Sequence, residues 1–219
     1  ATLQEALALC REMEGTIVQL EMKATIDDDP DFVPRVIEEV RAADITDRLV
    51  LISFNHDLLR QAKQLMPELK VGVLVYGAVE TMALPTGTWE MLGLQNGLEE
   101  DDFPQLPPLS VENVDDENCS WALRWMGNQI SMLQANFPGK SLAEVAQRLL
   151  EQRDPVKYVQ TLDFKPDWVS CEYHTAYQQP SMVQKLHVLG IKAAYWSVDG
   201  EQAVKDLWPL QPDAIVTNR

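Results

Sequence analysis

Glu21 and Lys23 stand two residues apart in a short β-rich stretch, residues 16–22, and that spacing puts a carboxylate and an ammonium on one side of a strand. A carboxylate is a hard oxygen ligand for calcium or magnesium, and a lysine is a point charge for a phosphoryl oxygen. The pair reads as one corner of a phosphodiester-handling site, with Glu21 as a metal ligand and Lys23 as a phosphate contact. A plain ion pair at a strand end has the same spacing, and spacing does not separate the two.

Other candidates come from the rule that side chains at the C-terminal ends of parallel strands face the site in strand and helix repeats. Ser53 and Asn55, Glu172 and His174, Trp196 and Asp199, and Asn218 occupy such ends. Ser53 and Asn55 are the residue types that more often close a strand end by hydrogen bonding. His56 and His187 fall inside helical patterns, where surface or packing roles are expected.

The elements that must position these residues alternate. Residues 2–13 repeat apolar side chains at helical spacing behind Thr2, with Glu5 in capping-box position. Strand patterns at 48–54, 70–76, 168–172, 191–198 and 214–217 join residues 16–22, and helical patterns lie between them. Val50-Leu51-Ile52-Ser53-Phe54 and Val71-Gly72-Val73-Leu74-Val75 are apolar on both faces, as in a parallel sheet covered by helices. The fold class is α/β, with about six strands that fit either a doubly wound sheet or most of an eight-strand barrel. The rhythm breaks at about 78–154. There a Gly-, Pro- and acid-rich loop precedes helical patterns at 119–136 and 141–152, a mainly helical insertion in which Trp121 and Trp125 supply an apolar face.

The chain has 219 residues, a formal charge of -16 and a pI near 4.5. That balance argues against a nucleic-acid partner, which concentrated Lys and Arg would have to hold. A phosphodiester remains accessible if a divalent cation supplies the charge. Cys10, Cys119 and Cys171 form neither a disulfide framework nor a zinc cluster by spacing. With no apolar run long enough for a transmembrane helix and no signal-peptide pattern at Ala1-Thr2-Leu3, a cytoplasmic protein is the default expectation.

The order TLQEAL, LEMK, VLISFNHDLLRQAKQLMPEL, VGVLV, LHVLGIKAAYWSVD and PDAIVTNR resembles the glycerophosphodiester phosphodiesterase family from its third barrel strand onward. The resemblance covers residues 1–76 and about 157–219. It implies a (β/α)8 TIM-barrel-like fold, here about six of eight strands in a single incomplete domain over residues 1–219. It also implies a divalent metal, calcium or magnesium, on Glu21, a phosphate contact at Lys23, and Trp196 beside the alcohol part of the substrate. Glu172 is a further candidate substrate contact. The activity implied is metal-dependent hydrolysis of a glycerophosphodiester to an alcohol and glycerol 3-phosphate, in glycerol and lipid metabolism.

Members of that family open on a strand ending in His-Arg-Gly and carry further acidic ligands and a second histidine soon after, and none of these is in this sequence. No catalytic acid or base is therefore assigned. The expectation is an incomplete barrel needing an upstream segment or another chain. The alternatives are a non-catalytic, degenerate or partner-binding barrel domain, and a related phospholipid phosphodiesterase.

Overall fold

The computed structural model describes residues 1–23, 29–77, 136–137, 139–140 and 142–219. The first helix, α1 (Leu3–Glu12), opens on the expected capping box. Thr2 Oγ1 accepts from the Glu5 amide at 3.2 Å, and Glu5 Oε2 accepts from the Thr2 amide at 2.9 Å. Strands and helices then alternate through β1 (Val18–Glu21), α2 (Phe32–Ala43), β2 (Leu49–Ser53), α3 (His56–Leu65) and β3 (Lys70–Val75). Past the insertion come α4 (Leu142–Glu151), α5 (Pro155–Val159), β4 (Trp168–Glu172), α6 (Thr175–Gln178) and α7 (Met182–Val188). The chain continues with β5 (Lys192–Trp196), α8 (Glu201–Leu207) and β6 (Ala214–Ile215). The helix expected over 141–152 is α4. The one expected over 119–136, with Trp121 and Trp125, lies almost wholly outside the described residues, as does most of the 78–154 insertion.

All five strand pairings are parallel, and the order runs β1-β2-β3-β4-β5-β6 without reversal. A doubly wound sheet reverses its order at a switch point. A sequential order puts every crossover helix on one face, so the sheet curls with helices outside. The result is a curled half-barrel, part of a TIM barrel. Among the described residues β1 and β6 each pair with a single neighbour.

Side-chain alternation sorts each strand into two cores. Leu49, Leu51, Val71, Val73, Val75, Val169, Cys171, Ala193 and Tyr195 face outward into the main core under the helices. Val50, Ile52, Leu74, Trp168 and Ala194 face inward, joined by Phe54, Trp196 and Ala214. Burial on both faces explains why the strands read as unbroken apolar runs. Gly72 makes the inner layer possible, since a Cβ there would sit 3.0 Å from both Ile52 Cγ2 and Trp168 Cβ. Trp168 thereby fills the N-terminal half of the interior, under a Lys192 ammonium 5.1 Å from its ring centroid. The cavity that remains lies toward the C-terminal ends of the strands.

Two strands are shorter than the sequence pattern suggests because their ends are held by other bonds. Met22 follows β1, yet its amide donates to the Ile52 carbonyl at 2.9 Å and its carbonyl accepts from Ser53 Oγ at 2.7 Å. Val216 follows β6 and is likewise tied to Tyr195 and Val198. No helix among the described residues is long and apolar enough to cross a membrane.

Candidate functional site

A cavity of about 220 Å³ opens inside the curl at the C-terminal ends of the strands. One side of it is polar. Gln19, Glu21 and Lys23 line it along β1 and its exit, while Met22 between them turns the other way into the helix-side core. This is the period of two expected of a strand, carried one step past its end. Glu21 Oε1 lies 3.4 Å from Lys23 Nζ, and the side chains are 31% and 56% exposed. The two form an ion pair, and the pair faces a cavity with the ammonium open to solvent.

The opposite side is aromatic. Trp196, at the end of β5, meets Phe54 edge-on at 5.5 Å and Tyr76 edge-on at 5.4 Å between ring centroids. Phe137 packs on Tyr76 and Phe54 behind them. The Trp196 indole N–H donates to the Ser170 carbonyl at 2.9 Å, which fixes the ring while leaving its face on the cavity. Asn136 Nδ2 donates to the Tyr76 hydroxyl at 2.7 Å. The Tyr76 phenol is pushed up to about 12, mainly by burial, with the Asn136 bond opposing and the Glu21 charge adding to it. It therefore stays a neutral phenol.

The remaining strand-end residues are occupied in closing the rim. Ser53 Oγ bridges the Met22 carbonyl and the Asn55 amide, and Asn55 Oδ1 accepts from the Asp57 amide as the N-cap of α3. Asp199 accepts from Thr217 Oγ1, the Asn218 amide and Asn218 Nδ2, tying the exit of β5 to that of β6. These bonds, the Asn218 amide first, hold its carboxyl below the usual range. Glu172 does not line the cavity. Its Oε1 accepts from His174 Nδ1 at 2.7 Å and its Oε2 from the His174 amide at 2.9 Å. Burial raises the Glu172 carboxyl and the bonds from His174 oppose that rise.

The other two histidines are placed away from the cavity. His56 is buried, with Nδ1 against the Tyr158 hydroxyl and Nε2 against the Leu74 carbonyl, so it has the packing role expected of it. His187 pairs with Asp213 at the N-terminal end of the strands, 2.8 Å apart.

Calcium takes six to eight oxygen ligands and magnesium six. Glu21 brings one carboxylate to the cavity, and among the described residues no group of three His, Cys, Asp or Glu is placed to hold a metal ion. These residues do not by themselves fit a divalent-cation site. A larger hollow, about 380 Å³, lies at the opposite end of β4 and β5 between Val159, Leu162, Phe164, Leu189 and Ile191. Gln160, Asp163 and Lys165 also line it, but it is more open and lies at the N-terminal ends of the strands, and the smaller cavity at the strand C-termini, where this architecture places its sites, is the candidate site.

Sequence reasoning placed Glu21, Lys23 and Trp196 on this cavity and missed Gln19, Phe54, Ser170 and Asn136, with Tyr76 buried against Phe54 and Trp196. Phe54 and Tyr76 carry the inward parity of Ile52 and Leu74 one step past their strands, so counting on by two finds them. Asn136 has no such signal, since it arrives from 60 residues away.

No protein-family model matches the sequence, and no curated protein matches it. Among solved structures the chain is similar to a glycerophosphodiester phosphodiesterase from Parabacteroides distasonis, at 15% identity and a TM-score of 0.53, over 99% of this chain and 59% of that one. It is also similar to a phosphodiesterase from Oleispira antarctica in complex with the product sn-glycerol-3-phosphate. That match has 14% identity and a TM-score of 0.51, over 99% of this chain and 56% of the other. At such identities the likeness establishes the fold, which is that of these barrel enzymes, and the chain spans a little over half their length.

Proposed function

We propose that this chain forms the larger arc of a barrel that binds a glycerophosphodiester, and that the completed barrel hydrolyses it to an alcohol and glycerol 3-phosphate. The observation that carries this reading is the Lys23 ammonium facing the Trp196 and Phe54 rings across one cavity at the strand C-termini. An ammonium suits the phosphoryl oxygens, and aromatic faces suit the C–H side of a small polyol. Among the described residues β1 and β6 each have one strand neighbour, and a closed barrel would place further strands beside them. At this cavity the described residues offer calcium or magnesium one carboxylate, that of Glu21.

The alternative, a non-catalytic binding domain, draws on the histidines. Of three in the sequence, two have no access to the cavity, so a pair of imidazoles flanking the substrate is lacking in this chain. Calorimetric titration of the 219-residue chain with sn-glycerol 3-phosphate, alongside choline release from glycerophosphocholine, distinguishes the two. Lys23→Ala should weaken binding about ten-fold, the lower range for a charged hydrogen bond at an exposed site. Unchanged affinity in that variant would remove the phosphate corner and the proposal with it. Binding without choline release favours the non-catalytic reading.

A further inference from the structure

We propose that the Ser170 hydroxyl and the Gln19 carboxamide form a hydroxyl-recognition subsite of this cavity, which selects a polyol phosphate over a simple alkyl phosphate. The inference rests on the phosphate-binding reading of Lys23. Both side chains line the cavity. Ser170 has the inward phase of β4 and stands one step nearer the C-terminal rim than Trp168. Gln19 has the inward phase of β1, one step before Glu21 and two before Lys23.

Ser170 is 2% exposed. The other buried serine and threonine hydroxyls among the described residues are bonded: Ser53 Oγ joins Met22 to Asn55, and Thr175 Oγ1 meets Cys171 Sγ and the Tyr76 carbonyl. The Ser170 hydroxyl makes no hydrogen bond among the described residues, while its own carbonyl is held by the Trp196 indole. A buried polar group is costly to keep unless a protein group, water or a ligand meets it. The polar side chains that share the cavity do not supply that partner. Glu21 and Lys23 hold each other, Asn136 holds the Tyr76 hydroxyl, and Ser197 is exposed at the rim. Gln19 is half-buried, and its carboxamide likewise makes no hydrogen bond among the described residues.

A hydroxyl and a carboxamide each carry a donor and an acceptor, so either can meet a ligand hydroxyl in either role, and neither titrates. The lining around them is apolar, from Ile52, Phe54, Leu74 and Trp196. Ser170 and Gln19 are therefore the polar groups at hand for the far end of a ligand whose phosphate sits at Lys23. Gln19 and Lys23 are two strand steps apart, about 13 Å between Cα atoms, and a long side chain entering the cavity from each end shortens that span toward the length of a small phosphate ester. A site built to hydrogen-bond a hydroxyl rejects the analogue that lacks it, because its own buried polar groups are then left unpaired. An alkyl phosphate satisfies the lysine and leaves Ser170 and Gln19 in that state.

The test compares sn-glycerol 3-phosphate with propyl phosphate, which keeps the carbon chain and the phosphate and lacks the hydroxyls, by calorimetric titration of the 219-residue chain. Wild type should bind the glycerol ester about ten-fold or more tightly than the propyl ester, a comparison that needs no variant to fold. Ser170→Ala and Gln19→Leu should each lose roughly three- to ten-fold for the glycerol ester alone, as for one neutral hydrogen bond. Without ligand, Ser170→Ala should unfold at the urea midpoint of wild type or above it, because the hydroxyl it deletes has no partner in the fold. A lowered midpoint would show that this hydroxyl already has a structural bond and would overturn the subsite. So would equal affinity of wild type for the two esters, a preference that survives both substitutions, or equal losses for both esters; if Lys23→Ala still weakens both, the phosphate corner stands. Failure of wild type to bind either ester would overturn both readings.

Discussion

Replacing His56 by Gln should remove an acid sensitivity built into the core. His56 is 6% exposed. The Leu74 carbonyl can only accept, so Nε2 carries the hydrogen, and Nδ1 accepts from the Tyr158 hydroxyl at 2.7 Å. Burial lowers the imidazole from 6.5 to about 4; the Leu74 bond opposes this and the Arg148 charge adds to it. Between these two values the unfolded chain binds a proton that the folded chain refuses. Stability therefore falls as the pH drops through that interval, by up to about 1.4 kcal/mol per pH unit, and levels off near a total of about 3 kcal/mol. Above the upper value both states are neutral and the group contributes nothing. Gln presents an N–H to Leu74 and an oxygen to Tyr158 without titrating. In urea denaturation, wild type should lose about 2–3 kcal/mol more than H56Q between about pH 7 and about pH 4.5, since the carboxylates act equally in both. Equal losses would show that the ring is protonated or solvated in the fold, and the packing role of His56 would fall.

Two further substitutions test the frame around the cavity. Ser53→Ala deletes the hydroxyl that joins the Met22 carbonyl to the Asn55 amide inside the protein, and should cost about 1–3 kcal/mol by chemical denaturation. Because Met22 lies between Glu21 and Lys23, the same variant should also bind glycerol 3-phosphate less tightly; loss of stability with unchanged affinity would show that the corner is held by β1 alone. Gly77→Ala adds a Cβ at φ +73° against Thr175 Oγ1 and Cys171 Sγ. The backbone strain and the clash together should destabilise by about 3 kcal/mol or more. A melting temperature within error of wild type would mean that the junction of β3 and α6 has room the structure does not show.

The elements were legible because each strand is buried on both faces and each helix on one. Runs such as Val71-Gly72-Val73-Leu74-Val75 have no other economical home than a helix-covered parallel sheet. What the sequence left open was the choice between a doubly wound sheet and a barrel. Strand order decides that, and order is a relation between segments far apart in the chain: Gly72 is the neighbour of Trp168. Gly72 itself hints at the answer, since its missing side chain is what lets a tryptophan lie across the interior.

The site was legible to the extent that it follows strand parity. Glu21, Lys23 and Trp196 reach the cavity because alternation continues through the last residues of β1 and β5. Parity fails at Glu172, which has the inward phase and yet does not line the cavity. The chain turns immediately after β4, and that turn returns the His174 ring and amide to the carboxylate two residues before them. A carboxylate with both oxygens taken by one histidine is not free to meet a substrate hydroxyl. Residues two apart on a strand share a face and point away together; across a strand end they can meet. The spacing of Glu21 and Lys23 is the same as that of Glu172 and His174, and both pairs cross a strand end; they differ because His174 is already the N-cap of α6, whereas Met22 is still held beside β2 by Ile52 and Ser53. Lys23 keeps its ammonium largely in solvent at 3.4 Å from its partner, free to take up an anion, whereas Glu172 is 13% exposed and its charge is spent on orienting a neighbour.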